Sequence, residues 1–171
     1  WWWTRSVSTL GTAAGPWRAS LLAGSADADP WTRLRVAVGG LLALTRSETL
    51  YYLADHDSTG QPLRTRCRYR VHGTPPDARW WSITAYAGDH FLIANDERRY
   101  SVNGATAALD AQGRFSVSTG PVAPGGGTPW LPTPGDHDLL LALRVYNPGM
   151  ALQADPATLA PPRIDLLGAC P

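Results

Sequence analysis

From Leu50 onward the hydrophobic pattern of this 171-residue chain has a period of two, cut about every 8–12 residues by Gly, Pro, Asn or Asp. Alternation sends successive side chains to opposite faces of a strand, so such a chain builds short strands in layers. The clearest stretch is Arg64 to His72. It sets Cys67, Tyr69 and Val71 on one face and Arg66, Arg68, Arg70 and His72 on the other. Leu50–Asp55, Trp80–Ala87, Phe91–Asn95 and Arg114–Thr119 read as further strands, with weaker ones at Tyr100–Val102 and Thr106–Leu109. A strongly apolar run from His137 to Tyr146 reads as the last. Asp57-Ser58-Thr59-Gly60, Gly88-Asp89 and Asp110-Ala111-Gln112-Gly113 supply turns between them, and Gly120 to Thr128 a flexible loop that Trp130-Leu131-Pro132 docks. The 17 Gly and 15 Pro suit that many turns. The pattern predicts a mainly β fold: an antiparallel β-sandwich of jelly-roll type, with one N-terminal helix packed outside.

That helix starts at Asp29-Pro30, an N-cap followed by a proline whose missing N–H costs nothing at the first helical position. Trp31, Leu34, Val38, Leu41, Leu42 and Thr45 recur at spacings of three and four. Gly39-Gly40 in its middle costs about 1 kcal/mol per residue against alanine, which points to close packing on a sheet or a neighbouring chain. Residues 1–28 then form a tether, with Trp17 as its docking point. Residues 29–171 form one β-sandwich domain, ending in a Pro-rich tail that runs extended from Asn147. There is no internal repeat.

Charge narrows the function classes. Apolar residues make up 44% and charged residues 17%, and the net charge is +1, without the basic excess of a nucleic-acid binder. All fifteen basic residues are Arg. No stretch approaches the ~20 apolar residues of a membrane span. Yet the chain opens on Trp1-Trp2-Trp3-Thr4-Arg5, the residues favoured at a lipid–water boundary. On that reading Trp1, Trp2, Trp3 and Arg5 follow an upstream membrane anchor; on the other they are ordinary core anchors at an arbitrary boundary. Cys67 and Cys170 either form a long-range bridge, worth about 4 kcal/mol, or remain two buried thiols.

No arrangement of catalytic residues stands out. The four His lack metal-ligand spacing, there is no Gly-x-Ser-x-Gly elbow, and Gly125-Gly126-Gly127 lacks the Lys and helix of a phosphate loop. Asp55-His56-Asp57 and Asp136-His137-Asp138 set a His between carboxylates, but neighbours in a strand point to opposite faces, as suits surface turns. Glu48 and Glu97 are too far apart in sequence to read as a paired-carboxylate site. No metal or other cofactor is expected. Two features suit binding. Arg64, Arg66, Arg68, Arg70 and His72 form a basic stripe that either holds an anionic partner or pairs with acids such as Asp55 and Asp57. Trp80-Trp81 alternate, so one ring faces out. With Tyr86, Trp130 and Tyr146 it either makes a stacking platform or helps to fill the core.

Taken together, the motifs resemble a known family. Tyr51-Tyr52, Asp57-x-x-Gly60 and Cys67-x-Tyr69-x-Val71-x-Gly73 are similar to the opening of the domain-of-unknown-function 1214 family. Trp80-Trp81-Ser82-Ile83-Thr84-x-Tyr86, with Phe91-Leu92 and Asn95, resembles its central hairpin. Asp110-x-x-Gly113, Trp130-Leu131-Pro132 and Leu143-Arg144-Val145-Tyr146-x-Pro148 follow in the same order. The resemblance covers about Glu48 to Pro148. Gly15-Pro16-Trp17, the helix and the tail carrying Cys170 resemble a short, stand-alone version with an N-terminal membrane segment. The resemblance implies a jelly-roll-like sandwich in a bacterial envelope protein, without a reaction to transfer. In longer relatives the domain accompanies another uncharacterised domain, numbered 1254. Asn95 and Arg144 are the polar exceptions among the matched residues, and Arg144 in an apolar strand needs to snorkel or meet a carboxylate such as Asp96 or Glu97.

The sequence therefore leads to a non-enzymatic accessory or interaction subunit of a membrane-associated assembly. It is expected to be anchored in the bacterial envelope, with the domain on the periplasmic side, other protein subunits as partners and no nucleic acid. The alternative is a soluble periplasmic domain that binds a ligand or carbohydrate, or acts on carbohydrate, using Trp81, Tyr86, Asn95, Trp130 and Arg144 in a cleft.

Overall fold

The computed structural model describes residues 12–19, 44–45 and 47–170. These form a mainly β structure of two sheets. Ten strands run in chain order: β1 Thr12–Ala14, β2 Trp17–Ala19, β3 Thr49–Ala54, β4 Tyr69–Gly73, β5 Ala78–Ala87, β6 Ser101–Asn103, β7 Phe115–Gly120, β8 Trp130–Pro132, β9 Leu139–Pro148 and β10 Arg163–Leu166. One sheet has six strands in the order β1-β2-β3-β9-β5-β6, the other four in the order β10-β4-β7-β8.

Alternation divides the faces as the pattern requires. In the six-stranded sheet Leu50, Tyr52 and Ala54 of β3, Trp81, Ile83 and Ala85 of β5, and Leu139, Leu141, Leu143 and Val145 of β9 join one core. Tyr69, Val71, Phe115, Val117, Leu131 and Ile164 of the four-stranded sheet belong to the same core. The Trp81 and Phe115 rings, 4.6 Å apart between centroids, join the two layers. Strand β9 lies between β3 and β5 and is buried on both faces along Leu139–Leu143, which accounts for its continuous apolar run.

Several expectations need correction. The sheets are not wholly antiparallel, because β8 pairs parallel to β7. The strand expected from Arg64 begins only at Tyr69. Burial alternates from Leu63 to Val71 as predicted, but the backbone of the first half serves other partners. Thr65 N–H donates to His137 O at 3.0 Å, and the Thr65 hydroxyl donates to Gly135 O at 2.9 Å. The Cys67 amide turns back to Arg64 O at 3.2 Å. Phe91–Asn95 contributes one isolated bridge, Tyr86↔Leu92, and Thr106–Leu109 one at Leu109↔Phe115.

Two segments, Thr12–Ala19 and the stretch after Pro148, carry more secondary structure than the sequence implies. Inside the segment read as a tether, β1 and β2 form a hairpin that extends the sheet beside β3. Trp17 is fully buried there and its indole N–H donates to Pro162 O at 2.7 Å. The tail read as extended holds a short helix α1, Met150–Ala154, a 3-10 turn at Pro156–Thr158, and β10 paired with β4. Tyr52 O–H donates to Pro156 O at 3.0 Å, and burial, then Asp155, pushes its phenol up to about 12. Of the predicted helix from Pro30 only Leu44 and Thr45 fall within the described residues, and neither is helical; Trp1, Trp2, Trp3 and Arg5 lie outside them. None of the described helices is long and apolar enough to cross a membrane.

Candidate functional site

Cys67 and Cys170 are bonded, with Cα atoms 4.7 Å apart across a separation of 103 residues. The bond fastens the tail beside β4, where Leu167 N–H also donates to Arg68 O at 2.8 Å.

The basic stripe divides into paired and unpaired members. Arg64 reaches Asp136 at 2.8 Å and Asp138 at 2.5 Å, and Arg66 reaches Asp136 at 3.0 Å. The hydrogen bond from Arg64 holds the Asp136 carboxyl below its ordinary value, and the same bond raises Arg64. His72 Nε2 lies 2.7 Å from Asp165 Oδ2 on β10, whose other oxygen accepts from Arg163 at 3.0 Å. The bond from His72 does most to lower Asp165. Arg68 and Arg70 are exposed and make no ion pair among the described residues. The acids anticipated for the stripe act elsewhere. Asp55 lies 2.8 Å from His56, and Asp57 is taken up by its own turn.

That turn and the one at Asp110 share a design. Asp57 Oδ1 accepts from Thr59 N–H at 2.8 Å, the Thr59 hydroxyl at 2.7 Å and Gln61 N–H at 3.0 Å. Asp110 Oδ1 likewise accepts from Gln112 and Arg114 N–H, and in both turns the glycine three residues on has positive φ. The Asp-x-x-Gly motifs thus shape the framework. In Asp136-His137-Asp138 the carboxylates are taken by Arg64 and Arg66, whereas in Asp55-His56-Asp57 the neighbours Asp55 and His56 meet each other instead of facing opposite ways. No group of three metal-ligating side chains occurs among the described residues.

The five residues assigned to a cleft do not converge. Trp81 points into the core against Phe115, while Tyr86 and Arg144 lie on the opposite face of the same sheet. Arg144 donates to the Thr84 hydroxyl at 2.9 Å and the Tyr86 hydroxyl at 2.5 Å, so hydroxyls take the place of the expected Asp96 or Glu97. Its guanidinium also lies 5.6 Å from the Tyr86 ring centre. Asn95 closes its own loop, donating to Ile93 O and Arg99 O and accepting from Arg99 N–H at 3.0 Å. Trp130, on the other sheet, donates to Gly120 O at 3.0 Å, and Arg99 donates to its carbonyl at 3.3 Å. Of Trp80 and Trp81 it is Trp80 that faces out, edge-on to Tyr146 with centroids 5.1 Å apart.

The sequence reading did not include Arg163 and Asp165. Their signal was present, since they flank buried Ile164 in a short alternation after Pro161-Pro162. Nor did it foresee Phe91 and Leu92, expected in a strand, at the end of β5 with exposures of 75% and 48%.

Among protein families, the one described as "Protein of unknown function (DUF1214)" matches residues 48–150. No curated protein matches the chain. Among solved structures, the VPA0106 protein from Vibrio parahaemolyticus is 25% identical with a TM-score of 0.66, over 75% of this chain and 33% of its own. A putative uncharacterized protein from Burkholderia cenocepacia is 22% identical with a TM-score of 0.50, over 70% of this chain and 29% of its own, and shows likeness of fold alone. The chain thus spans about a third of the length of either structure.

Proposed function

The chain belongs to the DUF1214 family, and from that premise we propose that it is a non-catalytic envelope domain, an accessory or interaction subunit of a membrane-associated assembly. One observation carries the reading. The polar side chains singled out from the sequence are largely committed to the framework, whereas Phe91 and Leu92 stand exposed side by side beyond β5. Adjacent exposed apolar side chains on an otherwise satisfied framework suit a protein contact. The Cys67–Cys170 bond supports a place outside the cytoplasm, because such bonds persist in oxidising compartments. In this reading the domain lies on the periplasmic side of a membrane in which the protein is anchored. The jelly-roll-like winding and the outer helix from Pro30 belong to the same proposal. Leu53, Leu140 and Ala142 form a second apolar cluster, with Tyr86 packed against it, on the outer face of the six-stranded sheet.

Gentle extraction of the full-length protein from native membranes, followed by size-exclusion chromatography, tests the proposal. A stable complex that Phe91→Ser/Leu92→Ser dissociates, at unchanged melting temperature, is the expected result. A solitary, freely soluble monomer would overturn it. A ligand-binding reading retains one specific support, the half-buried Arg144 guanidinium held by Tyr86 and Thr84. It requires a glycan or small-ligand signal on an array that Arg144→Met abolishes.

A further inference from the structure

We propose that the outer face of the four-stranded sheet binds an acidic polysaccharide, a chain of carboxylate-bearing sugars. The register assembles the site. Asp165, Arg70, Ser118 and Trp130 stand opposite one another on β10, β4, β7 and β8, and Arg163, His72 and Ser116 form the next row. Strands lie about 4.8 Å apart and alternate residues about 7 Å apart along each. Arg70 on β4, with Arg68 just before that strand, and Trp130 on β8 therefore stand on either side of β7, which contributes Ser116, Ser118 and Gly120 to this face, the last two buried.

Charge is left over on this face. Arg64 and Arg66 are neutralised by Asp136 and Asp138, and Arg163 and His72 share Asp165. Arg68 and Arg70 have no such partner among the described residues. Arg68 also depends on Gly120: a Cβ there would lie 2.9 Å from Arg68 Cγ, so any side chain would push the arginine aside. Trp130 is held by its hydrogen bond to Gly120 O, which fixes the indole beside the same strand. A guanidinium offers paired donors to a carboxylate, an indole face stacks on the C–H side of a sugar ring, and the half-buried Ser116 offers a hydroxyl to a sugar hydroxyl. An acidic peptide would use the arginines and leave the indole idle, and the net charge of +1 lacks the excess that nucleic acid needs. The site is independent of Phe91 and Leu92, so its failure and that of the assembly proposal are separable.

Calorimetric titration of the full chain with polygalacturonate tests this, with dextran, polyglutamate and duplex DNA as comparisons. Polygalacturonate should bind, dextran should not, and affinity should fall as salt rises from about 50 to about 500 mM. Arg68→Gln/Arg70→Gln should weaken binding about tenfold, and Arg64→Gln by less than about twofold. Trp130→Phe should weaken polygalacturonate more than polyglutamate. Absence of polygalacturonate binding, full retention in the double variant, or tighter binding of polyglutamate or DNA would overturn the assignment.

Discussion

Breaking the Cys67–Cys170 bond should cost stability through the unfolded chain while leaving the native architecture in place. The bond closes a loop of 103 residues, for which the chain-entropy relation gives about 4.7 kcal/mol at 25 °C. In the folded protein the same ends are held independently. Strand β10 pairs with β4 through four registered positions, and Leu167 N–H donates to Arg68 O at 2.8 Å. Trp17 and Tyr52 also hold the tail, through the carbonyls of Pro162 and Pro156. Cys67→Ala/Cys170→Ala should therefore keep the near-UV circular dichroism of the oxidised protein. For a chain of this size each kcal/mol moves the melting temperature by about 2–4 °C, so the midpoint should fall by about 9–19 °C. Scanning calorimetry of the oxidised protein, the reduced protein and the double variant gives the comparison, and the last two should coincide. A fall below about 3 °C would refute the loop-closure argument. Loss of the near-UV signal at low temperature would show that the bond holds the native packing itself.

Trp17→Ala should destabilise the protein by about 3–5 kcal/mol in urea, and Trp17→Phe by about 1–2 kcal/mol, the latter chiefly through the lost bond to Pro162. A loss under about 1 kcal/mol for alanine would mean that the first hairpin is a loose tether. Acid sensitivity should centre on Asp57. Burial acts to raise its carboxyl, but hydrogen bonds from Thr59, Gln61 and Gly60 outweigh it and hold the group below the ordinary 3.8. A lowered carboxyl adds stability above its unfolded value and loses it as pH falls through the folded one. Urea midpoints should therefore drop steeply below about pH 4, and less steeply in Asp57→Asn. Equal slopes in both proteins would refute that role.

Side-chain period two was legible because burial enforces it locally, residue by residue. Leu63 to Val71 alternates in burial even where the backbone is a turn, so the faces of Cys67, Tyr69 and Val71 could be read while the strand itself began late. Pairing was less legible, because a ladder is chosen by distant partners. Nothing near Trp130 announces a parallel pairing with β7, and nothing near Thr12 to Ala19 announces that β2 will extend the sheet beyond β3. Arg144 shows the same limit. Its need for a polar partner followed from its apolar strand, but cross-strand register brings it to the hydroxyls of Thr84 and Tyr86. The five-residue cleft failed for a reason available beforehand. Trp81 and Tyr86 are an odd number of residues apart on one strand and so face opposite ways.

What the four-stranded sheet offers to a partner depends on whether its edges are open. A bare edge strand invites strand addition, which would make the backbone the binding element. At β10 the edge is occupied: Ser58 N–H donates to Ile164 O at 2.9 Å, and Ile164 N–H donates to the Ser58 hydroxyl at 2.8 Å. At β8 the Trp130 carbonyl accepts from Arg99 at 3.3 Å. Backbone groups at both edges are thus engaged, and the inner face is filled by Phe115, Val117, Val71 and Ile164. Recognition by this sheet is left to the side chains of its outer face, where Arg68, Arg70 and Trp130 stand. Substituting those side chains should therefore change binding without changing the fold, whereas Ser58→Pro should open the β10 edge and favour self-association of the chain.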